Sequence, residues 1–180
     1  MKISEILTRR GSDKCSKHSY ATFYDLLFPS LQGDIAIMEI GVEYGFSLQA
    51  WREYFPDARI VGIDIKDVRL FKDPTIEFVE TDIKDYTPTG LFDIIIDDGS
   101  HLERELEYTL KNLPKFLKPG GYLILEDMQN PNLYLKMAHA YVPDEFAILT
   151  VDMRGAVGRY DEFLIVINRT KKEDCGSLYT

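Results

Sequence analysis

Inside "DIIIDDGSH", three isoleucines give way abruptly to Asp97, Asp98, Gly99, Ser100 and His101. A second acidic break, Glu126 and Asp127, follows the apolar run in "GGYLILEDMQ". Apolar runs of this length, bounded by turn residues, belong to buried strands, so each break places ionisable groups at a strand tip. Neighbouring strands lie roughly 4.8 Å apart, and their tips can share one ligand. Carboxylates gathered so closely raise one another's pKa unless a cation sits among them. Oxygen donors without cysteine suit a hard divalent ion, Mg2+ first. Side chains alternate along a strand, which keeps Asp97 and Asp98 from facing one site together. Asp98, Glu126 and Asp127 are therefore assigned to the metal, and Asp97 to a supporting place toward the cofactor or the loop. His101, three residues beyond Asp98, is the best general base, with Asp98 as its catalytic companion. Taken singly, each of these groups could be a cap or a turn former; their convergence favours chemistry.

These tips need a sheet behind them. Strands are expected at Ile35–Ile40, Arg59–Ile63, Ile76–Glu80, Phe92–Ile96 and Gly121–Leu125, with helices at Ser47–Tyr54, Val68–Phe71 and Arg104–Phe116 between them. The strands read as continuous apolar runs, so both faces are covered, as in a parallel sheet flanked by helices. After Asp127 a helix around Asn132–Ala140 leads to "FAILTVDMR" and "DEFLIVIN", whose short connection makes them antiparallel. The expected fold is α/β: a Rossmann-like, doubly wound, seven-stranded sheet, mostly parallel, with an antiparallel terminal hairpin. Residues 1–180 form one domain, with residues 1–34 a helical cover, best at Tyr20–Phe28, and residues 171–180 a frayed tail.

In open α/β sheets ligands bind beyond the carboxyl ends of the strands, near the switch in strand order. The first strand ends in "MEIGVEYGFS": Glu39, then Gly41 and Gly45, then Ser47 opening a helix. Glycine there permits a tight turn and close approach of a ligand. Glu43 replaces the middle glycine of the dinucleotide pattern, which argues against a diphosphate on this turn. Asp64 ends the second strand, where an acid commonly accepts ribose hydroxyls. Asp82 follows the third and fits an adenine amino group or a helix cap equally well. Glu39, Gly41, Gly45, Ser47, Asp64, Asp82 and Asp97 form the expected cofactor set, for an adenosine-bearing ligand without a diphosphate.

The bulk composition narrows the partners. A formal charge of −9 over 180 residues disfavours nucleic acid, whose binding needs clustered Lys and Arg. No apolar run reaches the roughly 20 residues of a membrane helix. The first residues lack the apolar core of a signal peptide, which predicts a cytoplasmic protein. Cys15 and Cys175 have neither metal nor redox spacing. A small molecule or glycan is the expected acceptor.

"GSDKCSKHSY", "EIGVEYGFSLQAWREYFPDARIVGIDI", "FDIIIDDGSH" and "LKPGGYLILED" together resemble class I S-adenosylmethionine-dependent methyltransferases, specifically the metal-dependent macrolide-sugar O-methyltransferases and their cephalosporin-hydroxylase-like relatives. The resemblance runs from about Gly11 to Asp127. It implies S-adenosylmethionine as cofactor, Mg2+ on Asp98, Glu126 and Asp127, His101 as base and a sugar hydroxyl as acceptor. It also implies that "GSDK" and the region of His18 and Tyr20 close over the cofactor or substrate. Tyr20 and Tyr24, at i and i+4, equally suit a core-facing helical pair. Macrolide enzymes carry additional N-terminal sequence, so substrate cover here falls to the first 30 residues, the loop after Asp127, or a partner subunit in a homo-oligomer. A nicotinamide-dependent oxidoreductase on the same fold, Mg2+-dependent phosphoryl transfer by the same acids, which the lack of a P-loop disfavours, and a non-catalytic S-adenosylmethionine-binding partner protein are the competing readings.

Overall fold

The computed structural model describes residues 1–66, 68 and 73–170. Of the helix expected at Val68–Phe71 only Val68 is among them, and the expected tail at 171–180 lies outside. Seven strands form one sheet in the order β3-β2-β1-β4-β5-β7-β6: β1 Ala36–Ile40, β2 Arg59–Asp64, β3 Glu77–Glu80, β4 Phe92–Asp97, β5 Leu117–Leu125, β6 Phe146–Asp152 and β7 Phe163–Arg169. The first five run parallel to one another. β7 lies antiparallel between β5 and β6.

The expected hairpin therefore forms, but its second strand takes the interior position. Composition explains the choice. Phe163–Ile167 is buried throughout, whereas β6 exposes Leu149 and Thr150. An unbroken apolar strand gains most from neighbours on both sides, and the more polar strand suits the edge.

Helices cover both faces. On one side α1 Ile3–Arg10, α3 Tyr20–Leu27 and α4 Phe46–Tyr54 pack Tyr24, Phe28 and Trp51 over Ile37, Ile94 and Ile124. On the other, α5 Glu103–Asn112 and α6 Pro131–Tyr141 set Leu106, Leu110, Tyr134 and Ala138 over Met38, Ile95 and Leu123. Each fully buried aliphatic or aromatic side chain contributes about 1.5–3 kcal/mol, so these layers hold the strand tips in fixed register. The helix expected to reach Phe116 stops at Asn112; Pro114 has no N–H for a helical bond, and residues 114–116 form a 3-10 turn. Between α1 and α3, Gly11 caps α1 in the left-handed conformation and the short α2, Asp13–Ser16, follows. Among the described residues no helix is long and apolar enough to cross a membrane.

β1 and β4 are neighbours although the chain leaves β1 for β2 and β3. Their carboxyl ends thus flank the switch in strand order, where an open sheet leaves a crevice.

Candidate active site

The crevice is a cavity of about 740 Å³, within the range of small-molecule sites. Gly41, Asp64, Asp82, Asp98, His101 and Asp127 all line it. The glycine turn is built by backbone contacts. At Gly41 φ is +85°, and an added Cβ would stand 2.1 Å from the carbonyl oxygen of Asp98. Only glycine lets the ends of β1 and β4 approach so closely. Asp64 pins the same turn, its Oδ2 accepting from the N–H of Val42 at 2.8 Å and of Glu43 at 3.0 Å, its Oδ1 from Lys66 N–H at 2.9 Å. Asp82 accepts from Lys84 N–H at 2.9 Å and caps the 3-10 turn 83–85. That backbone bond holds its carboxyl below the usual range. Asp82 is thus both a cap and part of the cavity wall.

Four of the expected cofactor residues sit elsewhere. Gly45 opens α4 in the left-handed conformation. Glu39 is buried and accepts from Ser47 Oγ at 2.6 Å and Trp51 Nε1 at 2.5 Å. Glu39 and Ser47 line a smaller cavity of about 160 Å³ beneath α2, beside Gly41. Asp97 turns toward α5, where Thr109 Oγ1 donates to it at 2.6 Å and Gly99 N–H at 3.2 Å. Burial, opposed by those donors, raises its pKa.

At the tips of β4 and β5, Asp98, His101 and Asp127 each bring one donor atom to a common point, all within 4.8 Å of one another. His101 Nε2 lies 3.7 Å from Asp127 Oδ2. Both residues have left-handed backbone, at φ +55° and +53°. Non-glycine residues hold that conformation only when the surroundings fix it, and such positions cluster at functional sites. Two carboxylates and no thiolate match the oxygen-donor chemistry of a hard divalent ion, and the imidazole beside them is placed as a candidate base. Glu126 points away from this group: Lys14 Nζ donates to its Oε2 at 2.5 Å, and the Tyr24 hydroxyl to its Oε1.

The N-terminal segment supplies partners for the acids. The Tyr20 hydroxyl donates to Asp127 Oδ1 at 2.6 Å and accepts from Asp127 N–H at 3.2 Å. Burial and Asp127 push its phenol far up, so it stays a donor. His18 stacks on Tyr20 with ring centroids 4.7 Å apart, its buried Nδ1 3.4 Å from Asp127 Oδ1 and without a hydrogen bond among the described residues. Tyr20 and Tyr24 are thus the core-facing helical pair, with hydroxyls that end on Asp127 and Glu126. Ser19 donates from its N–H and hydroxyl to the buried Glu162, tying the start of α3 to β7. Lys14 and Glu162 carry no sequence signal for these roles, since a charged residue in a polar stretch reads as solvated. "GSDK" itself offered the only pointer, through the resemblance.

A family described as a methyltransferase domain matches residues 38–125. The 8-demethyl-8-alpha-L-rhamnosyl tetracenomycin-C 2'-O-methyltransferase of Streptomyces olivaceus is 32% identical over 142 residues, covering 71% of this chain and 38% of the relative. The mycinamicin VI 2''-O-methyltransferase of Micromonospora griseorubida is 31% identical over 142 residues, 70% of this chain and 36% of that one. The chain therefore spans less than two fifths of the length of these curated relatives. In fold it is similar to the MycE methyltransferase of the mycinamycin pathway, solved with Mg, SAH and mycinamycin VI: TM-score 0.77, 24% identity, all of this chain and 57% of that one. Fold, family match and relatives together show that the chain carries a methyltransferase domain of the class I S-adenosylmethionine-dependent kind, similar to that of the antibiotic-sugar O-methyltransferases.

Proposed function

We propose that this chain catalyses metal-dependent transfer of a methyl group from S-adenosylmethionine to a hydroxyl of a sugar-bearing small molecule. The observation that carries the reading is the meeting of Asp98, His101 and Asp127 on the wall of the large cavity. The same cavity runs past Gly41, Asp64 and Asp82, where an adenosine would be held. S-adenosylmethionine supplies an electrophilic methyl already activated on a sulfonium, so alignment and proton removal are what the protein must add. A divalent cation on Asp98 and Asp127 would supply Lewis acidity and a docking point for two acceptor oxygens.

The chain's own residues divide the remaining work. Gly41 lets the ends of β1 and β4 close up beside the ligand, and Asp64 fixes that turn while leaving one lone pair on Oδ1 for a ribose hydroxyl. His101 takes the proton of the acceptor hydroxyl. Asp127, 3.7 Å from Nε2, favours the imidazolium that results. Tyr20 holds Asp127 from the far side, keeping the imidazole and carboxylate in register.

The acceptors named for the relatives supply the test. Labelled S-adenosylmethionine is incubated with the protein and a rhamnosylated polyketide such as 8-demethyl-8-alpha-L-rhamnosyl tetracenomycin C, with Mg2+ and with EDTA. Label should enter the acceptor with Mg2+ and fail to enter with EDTA. Full transfer in chelator would end the metal part of the proposal. Binding of S-adenosylhomocysteine with no transfer to any glycoside would end the acceptor class.

A further inference from the structure

One ring stands open on the wall of the large cavity. Tyr44 is 54% exposed, and among the described residues lining that cavity it is the only aromatic besides the His101 imidazole. The adenosine wall at Gly41, Asp64 and Asp82 is complete without it.

The ring is held in place by its neighbours. Glu43 before it and Gly45 after it both have left-handed backbone, at φ +50° and +74°. A non-glycine residue keeps that conformation only where its surroundings fix it. At Glu43 they do: Asp64 Oδ2 takes its N–H at 3.0 Å, and Gly45 N–H closes the turn on the Val42 carbonyl at 2.8 Å. Phe46, the first residue of α4, stacks on Tyr44 with ring centroids 5.7 Å apart and planes 25° from parallel. The phenol is thus backed by one ring and more than half open.

Its position matters as much as its chemistry. Asp13, Gly41, Glu43, Tyr44 and Asp98 line both the large cavity and the smaller one beneath α2. Tyr44 therefore stands at the seam of the two, together with Asp98 of the reactive group. An acceptor whose hydroxyl reaches Asp98, His101 and Asp127 gives its polar sugar to those groups, and whatever the sugar is joined to stays at the rim. Exposed apolar surface at a groove marks a place that a ligand covers. Aromatic rings prefer offset stacking, so a flat aglycone can extend the Tyr44–Phe46 stack where an alkyl group cannot.

Resting on the acceptor reading above, we propose that Tyr44 is a specificity-determining residue: its open face stacks on the aglycone, and the site thereby selects glycosides of flat, unsaturated rings over simple alkyl glycosides.

2-Naphthyl and methyl α-L-rhamnopyranoside are the probes, identical in the sugar and different only in the aglycone. Initial rates of the full chain with labelled S-adenosylmethionine and Mg2+ give kcat/KM for each. S-adenosylhomocysteine affinity is measured on the same preparations by calorimetry. Wild type should prefer the naphthyl glycoside by about tenfold, near the upper end of what one aromatic stack contributes. In Tyr44→Ala that ratio should fall below about twofold, and in Tyr44→Phe, which keeps the ring, it should return to about tenfold. A merely structural Tyr44 would lower both rates together and leave the ratio alone. Should Tyr44→Ala not fold, Tyr44→Leu keeps apolar bulk without a ring and should lose the ratio in the same way. Equal kcat/KM for the two glycosides in wild type, or a ratio that survives in Tyr44→Ala, overturns the proposal. So does a loss of S-adenosylhomocysteine affinity in Tyr44→Ala as large as the loss of ratio, which would give the ring to the cofactor. In each of those cases transfer to either glycoside by wild type leaves the methyltransferase reading standing. No transfer to either removes its acceptor class, and this proposal with it.

Discussion

The two halves of the crevice treat their acids in opposite ways. At the tips of β2 and β3, Asp64 and Asp82 bond to backbone N–H groups within the adjoining turns, two or about twenty residues away. At the tips of β4 and β5, Asp98, Glu126 and Asp127 take side chains from the N-terminal segment, 84 to 112 residues distant. The first half is a locally built wall. The second is a constellation held together across the whole chain, with two residues in left-handed backbone. Binding surface can be made locally; a reactive arrangement of like charges needs partners brought from outside.

If that contrast is correct, the largest effect lies in the second half. His101→Ala should lower kcat by about 10²–10⁴-fold, the usual worth of a positioned general base, with S-adenosylhomocysteine affinity unchanged by calorimetry. A comparable loss of affinity would mean His101 belongs to the binding wall. Next comes the seam between the halves. Gly41→Ala drives a methyl into the Asp98 carbonyl and should cost about 3 kcal/mol in chemical denaturation, combining overpacking with a strained φ. Gly155→Ala, with nothing within 4 Å of the added atom, should stay within about 0.5 kcal/mol.

Smaller still is the change expected in the first half. Asp64→Asn turns an amide N–H toward the donors of Val42 and Glu43, and should weaken S-adenosylhomocysteine about tenfold while kcat holds. A collapse of kcat at saturating cofactor would erase the division between wall and reactive group. The smallest effect is a slope. Buried Asp97 has its pKa raised in the fold, so folded protein keeps that proton to higher pH than the unfolded chain does. Its contribution is full below about pH 3.9, the ordinary carboxylate value, and is lost as pH rises through the folded value. Wild type should therefore lose stability relative to Asp97→Asn as pH is raised from about 4; a constant difference would mean Asp97 is not held protonated.

The same contrast decides what could be read from sequence. Strand tips were legible because "DIIIDDGSH" and "LILED" mark the end of burial by residue type alone, and the glycine turn and Asp64 follow within the same local logic. The order of β6 and β7 was legible in principle, since the polarity of Leu149–Thr150 against Phe163–Ile167 names the edge. Lys14 was not legible as a buried ion. Its surroundings in sequence are polar, and only the tertiary fold places Asp98 and Glu126 around it. The direction of Glu126 was hidden for a related reason: alternation says that it opposes Asp127, but not which of the two faces the cavity.

What fills the crevice decides the rest, and titration calorimetry of the full chain with S-adenosylhomocysteine, with NAD+ run in parallel, addresses that directly. One S-adenosylhomocysteine per chain, weakened by Asp64→Asn, with no heat from NAD+, is the result expected of this site. Saturable NAD+ binding with none of S-adenosylhomocysteine would contradict it, and the roles given to Asp98, His101 and Asp127 in methyl transfer would fall with it.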